Sequence, residues 1–113
     1  MRQSTFFDRQ GGGADAERVV LYALGDFQAR GKVLAERDLP LDRIRGAFRR
    51  AAEAFGVEEL GDDEAVRALD SLGAGVRRVP AFFAKHPYRV VVPEALAERS
   101  RLYFEEAKNA KQV

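Results

Sequence analysis

The apolar positions of this chain fall into four stretches with helical spacing and one region where the spacing shortens to that of strands. In the first stretch Ala16, Val20, Ala23, Leu24 and Phe27 recur at helical intervals. Asp15 precedes them as the expected N-cap, with Glu17 in the first turn, where the helix dipole favours an anion. Gly31 reads as the stop. Gly25 interrupts the pattern at a cost of about 1 kcal/mol against alanine, which predicts close packing against another element. In the second stretch Leu41, Ile44, Phe48, Ala51, Ala52 and Phe55 make the clearest stripe, opened by Pro40 and closed by Gly56. Arg43, Arg45, Arg49 and Arg50 lie off that stripe and are expected in solvent. In the third, Asp62 or Asp63 is the expected cap, Val66, Leu69 and Leu72 the buried face, and Gly73 the stop.

Between the first two helices, residues 32–39 are ambiguous: Val33 and Leu34 fit a short helix or a short strand. After Gly73 the texture changes. Residues 76–79 and 88–92 carry β-branched side chains interleaved with basic ones, the mark of a hairpin. Pro80 is unwelcome in a central strand but suits the first turn of a helix, so 81–86 reads as irregular or as a short helix closed by Pro87. Pro93 then opens a last helix whose stripe is Leu96, Ser100, Tyr103, Phe104 and Ala107, with Lys108 and Lys111 suiting its C-terminal end. Residues 1–14 read as a flexible N-terminal arm jointed at Gly11, Gly12 and Gly13, in which the Phe6–Phe7 pair docks on the domain or on a partner, a partly ordered tail with its two aromatics tucked in being the preferred reading; residues 15–113 read as one domain.

Composition narrows the chemistry. The 113 residues include no cysteine, which excludes disulfides, thiolate metal sites and cysteine nucleophiles. Nothing reads as a membrane span or a signal peptide, so a cytoplasmic location is expected. The net charge of +1 conceals a segregation. Residues 57–75 set Arg67 alone against Glu58, Glu59, Asp62, Asp63, Glu64 and Asp70, whereas residues 76–113 hold eight basic and four acidic side chains. Such segregation steers charged partners.

Little resembles a catalytic constellation. His86 is the single histidine and lies between Lys85 and Pro87, with neither an orienting partner nor a second metal ligand in view. No glycine-rich loop stands between a strand and a helix to cradle phosphate. The acidic cluster lacks the ligand spacing of a calcium loop and reads as a solvated loop and cap. No metal, no cofactor and no enzymatic activity are therefore expected. Residues 76–89 carry the most suggestive pattern. Arg77, Arg78, Lys85 and Arg89 supply positive charge for phosphates, and Phe82, Phe83 and Tyr88 supply rings on which bases stack. The plainer reading, with valines and aromatics facing the core and basic residues facing water, is preferred for that stretch.

The element order is helix, ambiguous segment, helix, helix, basic ribbon, helix. Residues 43–55, the turn at 56–61 and Asp62–Leu72 look like a helix-turn-helix, with residues 76–92 as its wing. This resembles the winged-helix superfamily in element order over residues 15–92, with no family motif matched. The resemblance implies a mainly α fold with a small β-hairpin and an extra C-terminal helix. It also places Asp62–Leu72 as the helix that would read the major groove. That helix departs from the pattern, since its carboxylates would be repelled by DNA. Two readings follow. The chain is a nucleic-acid-binding or regulatory module using the basic wing with Arg43 and Arg50, or it is a protein-interaction module or assembly subunit in which the acidic segment 58–70 meets a basic partner or a second copy. Element order tilts the balance to the first.

Overall fold

The four helical stripes close on one another through the first helix. The computed structural model describes residues 12–80 and 87–112, with side chains described over 15–80 and 87–110. In chain order the elements are α1 (Gly12–Ala29), β1 (Asp38–Pro40), α2 (Leu41–Phe55), α3 (Asp62–Leu72), β2 (Gly75–Arg78), β3 (Tyr88–Val91) and α4 (Glu94–Gln112). The fold is mainly α with a small antiparallel sheet. The Phe6–Phe7 pair, Phe82, Phe83, Lys85, His86 and the choice between helix and loop at 81–86 lie outside the described residues.

α1 packs against α2, α3 and α4 at once. Of its expected stripe Val20, Ala23, Leu24 and Phe27 are buried and Ala16 is half-buried, and Val19 and Leu21 beside it are buried too, because a helix covered on several sides is apolar nearly all round. Leu24, Phe48 and Leu69 are fully enclosed, one each from α1, α2 and α3, and each such side chain contributes about 1.5–3 kcal/mol relative to exposure.

The glycine inside the α1 pattern has the expected cause. A Cβ on Gly25 would stand 2.5 Å from the Ser100 carbonyl oxygen of α4 and closer still to the Phe104 Cβ. The two backbones therefore cross where no side chain fits. Polar groups at this crossing are matched. The fully buried Ser100 hydroxyl donates to the Ala97 carbonyl at 2.9 Å, and Gln28 Nε2 donates to the Ala97 carbonyl at 2.9 Å and to Ser100 Oγ at 3.1 Å.

The ambiguous segment contributes a strand, so the expected hairpin is the larger part of a three-stranded sheet of order β1-β3-β2. Leu39, Val90 and Val76 lie side by side across it and face the core. Pro40 ends β1, an edge strand, where its missing N–H leaves no ladder bond unmade, and then precedes α2 with φ −67°. The β2–β3 ladder continues past its last strand pair through Val79 N–H, which donates to the Pro87 carbonyl at 2.6 Å. Glu36 takes the left-handed conformation at φ 61°, a costly one for a side chain of this kind. Its N–H donates to the Val92 carbonyl, and its carboxylate accepts the Glu94 N–H at 3.0 Å, which satisfies an orphan donor at the start of α4.

Three local expectations need correction. α1 begins at Gly12, so Gly12 and Gly13 belong to a helix and Asp15 lies in its first turn rather than at its cap. The N-cap of α3 is Gly61, whose N–H donates to Glu64 Oε1 at 3.2 Å. The α2 arginines do not share one solvated face. Arg45 donates to the Leu60 carbonyl at 2.8 Å and pairs with Asp62 and Glu59, tying the α2–α3 turn together.

Candidate functional site

β-strand geometry determines what becomes of the basic ribbon. Successive side chains point to opposite faces, so the consecutive Arg77 and Arg78 cannot share one. Arg77 stands directly opposite Arg89, and Arg78 directly opposite Tyr88. The first pair lies on the outer face of the sheet. The second lies on the face that also carries Val76 and Val90, at the end where that face leaves the core.

Two like charges directly opposed across a ladder repel. Asp38 on β1 resolves the conflict. Its carboxylate accepts Arg77 Nη2 at 2.6 Å and Arg89 Nε at 3.2 Å, and its backbone carbonyl accepts Arg89 Nη2 at 3.1 Å. The hydrogen bond from Arg77, helped by that from Arg89 and by both charges, holds the Asp38 carboxyl below its ordinary pKa. Two of the four basic residues proposed to grip phosphate thus already share a carboxylate. Asp38 carries no local signal in the sequence, since its partners lie 39 and 51 residues away.

Arg78 has a different environment. It is exposed, with its guanidinium 5.5 Å from the centre of the Tyr88 ring. The Tyr88 hydroxyl reaches toward Asp63 of α3 at 3.5 Å. Tyr88 therefore joins the ribbon to the start of α3. Beneath it an open cleft of about 400 Å³ runs between α2 and α3, lined by Asp42, Arg45, Glu59, Asp62, Pro87 and Tyr88 among others.

The two arginines named on α2 also part company. Arg43 is exposed. Arg50 is half-buried, and its Nε and Nη2 lie 2.7 and 2.6 Å from Asp26 Oδ2, a carboxylate almost wholly enclosed on α1. Arg50 is a tie between α1 and α2 and is not offered to a ligand. The nine residues first assembled as one nucleic-acid surface are thus divided. Arg77 and Arg89 pair with Asp38 on one face, Arg78 and Tyr88 lie on the other, Arg43 stands on α2, Arg50 is tied to Asp26, and Lys85, Phe82 and Phe83 are outside the described residues.

The exposed surface of α3 is acidic. Asp62, Asp63, Glu64 and Asp70 are all exposed, with Arg67 the single exposed base of the helix. The first three suit the positive end of the helix dipole. Asp70 lies in the last turn, where the dipole opposes it, so helix electrostatics do not account for its presence. Among the described residues no group of three or more His, Asp or Glu side chains is placed to hold a metal ion, and no helix is long and apolar enough to cross a membrane. Comparison of the chain with protein-family models, with curated proteins and with solved structures finds no match.

Proposed function

We propose that the chain is a protein-interaction module of winged-helix architecture, a binder rather than an enzyme, whose exposed α3 face docks a basic segment of a partner protein. The architectural part is supported by the order of elements and by the sheet order β1-β3-β2, in which a strand between the first two helices pairs with the ribbon. The choice of partner rests on one observation: the helix that would enter a DNA groove presents four carboxylates, of which Asp62 is already paired with Arg45, and one arginine to solvent. DNA carries a negative charge for each ~1.7 Å of its axis, so this surface is repelled by a duplex and attracts cations.

The nucleic-acid reading keeps one specific support. Arg78 is exposed, bonds to no carboxylate among the described residues, and lies against a ring beside the α3 terminus. With Arg43, which is also exposed, it is the described residue on which that alternative depends.

The two are separated by titrating isotopically labelled protein at low salt with an arginine-rich peptide and, separately, with a random DNA duplex, following backbone amide shifts. The peptide is expected to move the amides of Asp62, Asp63, Glu64 and Asp70, and the duplex to leave them in place. Saturable duplex binding that weakens steeply with salt and is abolished by Arg78→Ala would overturn the interaction reading in favour of a wing-based nucleic-acid module.

A further inference from the structure

Among the described residues α4 packs only one of its sides. Leu96, Ala97, Ser100 and Phe104 are buried, while Ala95, Arg99, Leu102 and Glu106 form an exposed stripe along the opposite side at helical spacing. Leu102 stands at the centre of that stripe with 47% of its surface exposed, among the most exposed large apolar side chains described. Beside it an open groove of about 660 Å³ runs between α4 and the shoulder of α1, floored by Leu21 and Tyr103 and edged by Glu17 and Arg18.

The charges of the stripe point to what covers it. Most charged neighbours are already satisfied within the chain: Arg101 bonds to Glu98 at 2.6 Å and to Glu105 at 2.8 Å, and Arg18 to Asp15 at 2.6 Å. Arg99 and Glu106 make no ion pair among the described residues. They flank Leu102 on the same stripe, one turn before it and one turn after. A two-fold axis crossing α4 beside Leu102 sets Arg99 of one copy against Glu106 of the other, twice, and brings the two Leu102 side chains together between them. Ala95 at one end then meets Ala110 at the other. A parallel pairing would instead oppose Arg99 to Arg99 and Glu106 to Glu106. The stripe is self-complementary in the antiparallel sense alone, as an isologous interface requires.

We infer that the outer face of α4 is a homodimer seam, occupied by α4 of a second copy running antiparallel. The seam is separate from the acidic face of α3 and does not depend on the function proposed for it.

The test is the solution mass of the full chain by sedimentation equilibrium over a concentration series, with thermal melts confirming that each variant folds. The wild type is expected to approach twice its 12.6 kDa mass. Leu102→Glu is expected to leave a folded monomer. Arg99→Glu alone and Glu106→Arg alone should each weaken self-association by about tenfold or more, since each opposes like charges across the seam. Mixing these two single variants should restore dimers, now as heterodimers, because each copy then carries the charges the other needs. A wild type that stays monomeric at several hundred micromolar would overturn the inference. So would a dimer indifferent to Leu102→Glu, or two single variants that fail to rescue each other.

Discussion

The crossing of α1 and α4 and the β2–β3 ribbon are both places where distant segments meet, and they are held by different physics. At the crossing two backbones touch through Gly25, no Cβ fits, and the buried Ser100 and half-buried Gln28 groups close their hydrogen bonds on one another and on the Ala97 carbonyl. At the ribbon the outward contacts are ion pairs in water: Asp38 is 44% exposed and Arg77 58% exposed over their side chains. Shape determines the first contact and charge the second. Packing of the first kind is unforgiving, because displaced backbone cannot move aside as a long side chain can. Pairs of the second kind are screened by water and can be exchanged with little effect on folding.

The largest effect should come from Gly25→Val. Despite the better helix propensity of the new residue, overpacking against the Ser100 carbonyl and Phe104 should lower stability by roughly 3 kcal/mol and the melting temperature by roughly 10 °C or more. A variant that melts within a few degrees of the wild type would break the contrast. An intermediate effect is expected at Asp26, which belongs to the packed half of the molecule and yet is charged. Asp26→Ala leaves half-buried Arg50 without its carboxylate and should cost about 1–3 kcal/mol in chemical denaturation. A cost below about 0.5 kcal/mol would place this pair with the exposed ones.

The smallest effect, and the sharpest in its sign, is expected at Asp38. Its pKa in the folded state lies below its ordinary value, so the stabilisation it provides is present above the unfolded-state value and is lost as pH falls through the folded one. Protonation also leaves Arg77 and Arg89 facing each other without a counterion. In a carboxyl-carbon NMR titration the Asp38 midpoint should rise in Arg77→Ala, and by more than in Arg89→Ala, because the Arg77 hydrogen bond is the largest cause of the depression. Equal responses would mean that overall positive charge, rather than the short Arg77 contact, sets the carboxyl.

How much of this was legible depended on whether the signal was local. The α2 stripe from Leu41 to Ala52 and its stop at Gly56 follow from spacing alone, because a helix repeats its own contacts, whereas Phe55 at the end of that stripe is exposed and α3 buries Ala65, Ala68 and Leu69 with the expected Val66 and Leu72 only half-buried. The close approach at Gly25 was legible as a cost needing a reason, although the partner was not. β1 was not legible. Its three residues, one of them proline, have no strand pattern of their own and are a strand because β3 offers an edge to pair with. The splitting of the basic ribbon was within reach, since adjacent Arg77 and Arg78 in a strand must diverge. Composition alone does not show it.

The sequence by itself determined the helices, their stops, the apolar faces that make the core and the separation of acidic from basic segments, because each is written in residues within a turn or two of one another. Only the tertiary structure decided which charges remain available. Asp38 reaches Arg77 and Arg89, and Asp26 reaches Arg50, across dozens of residues, and these contacts exist only after the core has brought the segments together. Packing likewise decided which side of α4 is spent on α1 and which, with Leu102 between Arg99 and Glu106, is left facing outward.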